Sequence, residues 1–188
     1  MIHFQNEEII EKMPFKTYLE KESFSNSGFS ERIFQETEKT RLGKLVDQYV
    51  SGEKKTAFSD REKKAETIAR NISEKYSEML SISKFQVSIF GNIAYDIFSL
   101  PFKTRPDFYV PRVATIDLKI TWESLKNIEA LIKHMQYGRQ CYFHRGMAGV
   151  EKSYLLFFSV KDGKSRLIES NENWDDYIIE KILIHGST

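Results

Sequence analysis

The stretch Lys103-Thr-Arg-Pro-Asp-Phe-Tyr-Val-Pro-Arg-Val-Ala-Thr-Ile-Asp-Leu-Lys-Ile-Thr-Trp122 decides the fold. Residues 113–121 alternate as a half-buried strand should, with Ile116, Leu118 and Ile120 on one side and Thr115, Asp117, Lys119 and Thr121 on the other. Phe108, Tyr109 and Val110 form a shorter strand, and Pro111-Arg112 a turn between the two. Paired as a hairpin, these strands bring Asp107 and Asp117 to one end of one sheet. The period of two then puts Lys119 on the face of Asp117.

Two carboxylates and an ammonium on one polar face suit metal-assisted phosphodiester hydrolysis. Mg²⁺ or Mn²⁺ takes oxygen ligands, keeps several waters, and needs only one or two carboxylates besides a substrate phosphate. The ion polarises the phosphate and acidifies an attacking water, while a nearby lysine orients that water and offsets developing charge. The string Pro106-Asp107…Asp117-Leu118-Lys119 resembles the motif of the PD-(D/E)XK nucleases.

The surrounding sequence extends the resemblance. A helix is expected from Glu123 to about Gln136, then the segment Tyr137-Gly-Arg-Gln-Cys-Tyr-Phe-His-Arg-Gly146, read as extended. Two further strands, residues 153–160 and 165–169, flank Lys161-Asp-Gly-Lys164, and Asp-Gly between apolar runs marks a hairpin. This order is similar to the RecE-type and lambda-type phage exonucleases, relatives of the RecB nuclease domain, across residues 72–168 and most firmly 103–160. The family's Gln-x-x-x-Tyr is matched at Gln140, with His144 where the tyrosine would stand. The resemblance implies metal ligation by Asp107, Asp117, the Leu118 carbonyl and a helix acid, with Lys119 and Gln140 catalytic. Glu74, one turn before Glu78, is preferred as the helix acid. Gln86 stands two residues before Ser88, where the family commonly has Glu. In an extended segment Gln140, Tyr142 and His144 would point together.

Length and composition suit one domain over residues 1–188, with 40% hydrophobic and 29% charged residues. One cysteine, Cys141, excludes an intramolecular disulfide or a Cys-rich metal site. No membrane-length apolar run and no signal-like start suggest a cytoplasmic protein. The net charge of +1 is uneven: residues 1–84 hold 15 basic and 15 acidic side chains, residues 101–166 hold 12 against 6, and the tail is acidic. A basic segment around the hairpin suits a phosphate backbone, with Lys103, Arg105, Arg139, His144 and Arg145 as the expected nucleic-acid contacts.

Residues 1–81 read as helical: residues 7–22 broken near Pro14, a helix capped by Ser30 and running to Val50 with Ile33 and Phe34 on its apolar face, and a third from Ser59 to Leu80. Ser59-Asp-Arg-Glu62 has capping-box form, and Ala65, Ile68, Ala69, Ile72, Tyr76 and Leu80 make a core stripe. Residues 85–90 read as a strand ended by a Gly91-Asn92 turn, Asp96 as a turn or surface residue, residues 82–170 as the sheet core and residues 171–188 as a last helix. The expected fold is α/β, restriction-endonuclease-like, with about five strands in a mixed sheet, helices on both faces and a helical N-terminal region. The expected activity is a Mg²⁺- or Mn²⁺-dependent exonuclease on DNA duplex ends, in phage or mobile-element recombination. The resemblance also allows a homo-oligomer. Gln86 and His144 keep open a non-catalytic nucleic-acid- or nuclease-binding protein, such as a mobile-element inhibitor of host nuclease; RNA is a further substrate option.

Overall fold

A computed structural model describes residues 1–21, 23–25 and 37–185. Its centre is a five-stranded sheet in the order β2(Lys84–Phe85), β5(Phe108–Val110), β6(Ala114–Thr121), β7(Lys152–Ser159), β8(Lys164–Glu169). Only β6 and β7 are parallel, so the sheet is mixed. The two faces of β6 go where its alternation sends them. Ile116 and Leu118 join Leu156 and Phe158 beneath α2(Glu38–Val50) and α3(Asp60–Lys75), whose Leu42, Val46, Ala65, Ile68, Ala69 and Ile72 are buried there. The opposite face meets α5(Ile128–Met135) and α6(Tyr137–Ala148) through Ile128, Cys141, Leu155 and Phe157. The capping box of α3 is present, Ser59 Oγ accepting from Glu62 N and Glu62 from Ser59 N. This helix ends at Tyr76, and α4(Ser77–Ser81) carries Leu80 into the same core. The Ser30 cap, Ile33 and Phe34 lie outside the described residues; α2 is capped by Thr37.

A second, three-stranded antiparallel sheet, β1(Ile2–Ile10), β3(Ser88–Tyr95), β4(Phe98–Thr104), departs from the sequence expectation. The first helix expected after Glu7 is instead β1, followed by the short α1(Phe15–Glu20), with Pro14 as its cap residue. Partnership with β3 outweighs local helix preference here, because a strand's backbone is satisfied by a distant neighbour. Gly91 and Asn92 lie in mid-strand; the turn comes at Asp96, where φ is 55°. Gly91 is required by close approach, since a Cβ there would meet Gln5 O of β1 at 1.9 Å.

The segment 137–148, expected as extended, is helical. The helix α6 runs between the two sheets, with Cys141 packed on the five-stranded sheet and Phe143 and Met147 in the core of the three-stranded one. Gly146 allows this, since a Cβ would lie 2.6 Å from the Phe4 ring. Buried on most sides, α6 has no single apolar stripe, which is why the sequence conceals it. The last helix, α7(Asp175–His185), buries Ile178 and Ile182 against β3 and β4.

Candidate active site

The site is built by unequal strand lengths. The short β5 pairs with β6 only up to Phe108↔Ile116, leaving the next part of β6 with an open edge. Asp107 fills it: its Oδ2 accepts the Leu118 N–H at 2.7 Å. A residue's N–H and C=O point to the same side of an extended strand, so the Leu118 carbonyl also faces the Asp107 edge.

On the α6 face, Asp117 is 2% exposed and its Oδ2 forms an ion pair with Lys119 Nζ. That ammonium also donates to Gln140 Oε1 at 3.0 Å and lies 4.8 Å from the Tyr137 ring centroid. His144 Nε2 is 3.6 Å from Asp117 Oδ1, while its Nδ1 bonds Thr104 Oγ1. Gln140 and His144 thus share a face as i and i+4 of a helix, where an extended segment had been expected to align them. Tyr142 leaves that group and bonds Asp175.

A third acid arrives from α2. Asp47 Oδ2 accepts from Gln86 Nε2 at 2.7 Å, and Gln86 Oε1 accepts from Arg105 Nη2 at 2.8 Å. Burial raises the Asp47 pKa to about 6, helped by the negative charges of Glu53 and Asp117 and opposed by Gln86 and Arg105. Asp107 is raised well above the usual range by burial, then by Asp117 and Asp47. Burial alone would lift Asp117 as well, but Lys119 and His144 outweigh it and hold that carboxylate low. Burial would lower Lys119, and Asp117 with Asp107 reverse that and raise it. Three carboxylates, Asp47, Asp107 and Asp117, thus share the site with two cations, Lys119 and Arg105.

Asp107, Asp117, Lys119 and Gln140 come together, with His144 behind them. Glu74 does not join: it is exposed, at the end of α3 where Lys75 reaches the Ser165 carbonyl of β8, across the sheet from β5. The helix acid whose charge reaches Asp107 and Asp117 is Asp47 of α2. The available signal was modest, an acid next to Val46 in the buried stripe of the helix that covers β6. Lys103 is also corrected. It is 6% exposed and its Nζ donates to the Tyr18, Leu19 and Lys21 carbonyls, closing the end of α1. Arg139 is buried against Tyr177, and Arg145 lies over Tyr142 with long contacts to the Ser170 and Glu172 carbonyls. Arg105 is the basic side chain that faces the acids.

Among the described residues, no three or more His, Cys, Asp or Glu side chains converge as a metal cluster. Mg²⁺ needs less than that, since one or two carboxylates, waters and a phosphate complete its shell. Asp47 Oδ1 and Asp117 Oδ2 are buried without a hydrogen bond among the described residues, the latter having only its ion pair with Lys119. Hard carboxylate oxygens with unspent lone pairs fit such an ion.

A mixed sheet carrying Asp, Asp and Lys at one hairpin, enclosed by helices on both faces, is an exonuclease-like α/β fold. Among solved structures the chain is similar to a protein from Eubacterium rectale named "Putative exonuclease", with 18% identity and a TM-score of 0.59 over 82% of this chain and 66% of that one. It thus spans just under two thirds of that protein's length. A looser likeness, 14% identity and a TM-score of 0.45 over 88% and 84%, is to an alkaline exonuclease from Laribacter hongkongensis. No protein-family model and no curated protein matches the sequence. What is shared with the Eubacterium rectale protein at this identity is the fold.

Proposed function

We propose that the chain is a divalent-metal-dependent deoxyribonuclease acting as an exonuclease on duplex ends. The observation that carries this is the hairpin itself: Asp107 bonded to the Leu118 N–H, with Asp117 and Lys119 beside it on β6. Mg²⁺ or Mn²⁺ would be held by Asp107, Asp117 and the Leu118 carbonyl, with Asp47 in place of Glu74 as the helix acid. The bound ion would polarise the scissile phosphate and acidify an attacking water. Lys119, steadied by Gln140 and Tyr137, orients that water and neutralises charge developing on the phosphate. His144, bonded to Thr104, sets its Nε2 3.6 Å from Asp117 Oδ1 and helps hold that carboxylate in place. No helix among the described residues is long and apolar enough to cross a membrane.

The test is digestion of end-labelled linear duplex beside covalently closed circular DNA and RNA, with Mg²⁺ or Mn²⁺, for wild type, Asp117→Ala and Lys119→Ala. Loss of the linear duplex alone, abolished by chelation and by either substitution, is the expected result. Cutting of closed circles would make the enzyme an endonuclease, and RNA as the sole substrate would redirect the chemistry. If pure, folded protein cuts none of them, the catalytic assignment falls and a binding role replaces it.

A further inference from the structure

Gln86 sits where the chain leaves the five-stranded sheet after β2 and enters the three-stranded sheet as β3. Its backbone is left-handed, with φ 51°, and its N–H donates to the Asp107 carbonyl at 2.9 Å. Its side chain joins Asp47 to Arg105, donating to the first at 2.7 Å and accepting from the second at 2.8 Å. A carboxylate and a guanidinium this close would otherwise pair directly, often through two parallel bonds. The amide stands between them and takes one atom of each.

What remains is Asp47 Oδ1 and Arg105 Nη1, both buried and without a hydrogen-bond partner among the described residues. A buried guanidinium nitrogen with no acceptor is costly, so the arrangement makes sense if a ligand supplies one. Arg105 is also held on its flank. The Phe15 and Tyr18 rings of α1 lie 5.5 and 5.7 Å from its guanidinium, and Lys103 fastens α1 in place.

We infer that Gln86 is a positioning residue that keeps Asp47 and Arg105 from pairing and presents Arg105 Nη1 to a non-bridging oxygen of the substrate phosphate. This rests on the phosphodiesterase function proposed above. Neutrality is what the position requires. A glutamate would capture Arg105 for itself and face Asp47 as a like charge, whereas the amide offers one acceptor and one donor and no charge.

Binding of a short fluorescein-labelled DNA duplex, followed by anisotropy in Ca²⁺, tests this. The proteins are wild type, Gln86→Gly, Gln86→Glu, Arg105→Ala and the double variant Gln86→Gly/Arg105→Ala, each checked by thermal melting. Glycine accepts φ 51° without strain, so the fold survives loss of the amide. Gln86→Gly and Arg105→Ala should each weaken binding about tenfold, and Gln86→Glu should behave like Gln86→Gly. The double variant should bind no worse than Arg105→Ala, because the glutamine acts through the guanidinium. Losses that multiply in the double variant, or a Gln86→Glu protein that binds or cuts better than wild type, overturn the assignment and leave the nuclease function standing. A folded wild type that neither binds nor cuts duplex overturns both.

Discussion

Asp47→Asn separates function from stability in this site. Burial, with Glu53 and Asp117 nearby, moves the Asp47 pKa from 3.8 to about 6. Between those values the native state holds a proton that the unfolded chain has lost. Stability therefore falls as pH rises from about 4 to about 6, and the full penalty is present above that. A tenfold change in proton affinity is about 1.4 kcal/mol, so the ceiling is about 3 kcal/mol, and partial exposure trims it to about 1–2 kcal/mol. Asparagine keeps an oxygen for Gln86 Nε2 and removes the charge. Urea unfolding at pH 7.5 in chelator should show the variant more stable by about 1–2 kcal/mol, with the gap closing toward pH 4. Mg²⁺ should then stabilise wild type more than the variant, because a ligand that binds only the native state adds to its stability. A wild type as stable as the variant at pH 7.5, or a gap that does not close in acid, would refute the electrostatic account.

Lys119→Ala strands Asp117 as a buried charge and should cost about 3–5 kcal/mol at neutral pH. The cost should shrink in acid, as the carboxylate that Lys119 had held low takes up its proton, and unfolding curves at two pH values would show it. Gly91→Ala drives a methyl into the Gln5 carbonyl and should cost about 3 kcal/mol or more, read as a lowered melting temperature and faster hydrogen exchange along β1. Ser59→Ala removes the cap of α3 and should cost about 1 kcal/mol in urea unfolding, with no change in the site.

The parts of the fold that the sequence declared are those whose signals are local. The alternation of residues 113–121, the Ser59 capping box and the Asp-Gly turn before β8 each depend on neighbours a few residues away. The hairpin carried Asp107, Asp117 and Lys119 with it. The misplaced parts depend on distant partners. Glu7 and Glu8 interrupt the apolar pattern of β1, whose partner strand lies near residue 90. α6 is buried between two sheets and lacks an amphipathic stripe, so its aromatic residues resemble a strand. That Asp47 and not Glu74 lies near the hairpin acids is a matter of which helix lies over which strand. Nothing in the spacing of the two acids encodes it.

The pairing of Ile2 with Tyr95 and of Ile10 with Ser88 also sets an order of events during synthesis. Strand β1 must wait for β3 before its backbone finds a partner. At about 5–20 residues per second that interval is roughly 4–19 s. Throughout it, Phe4 and Ile10 travel on an unpaired β-prone segment. Pairing of β1 with β3, which is joined to β4 across a two-residue turn, is the step that ends this exposure.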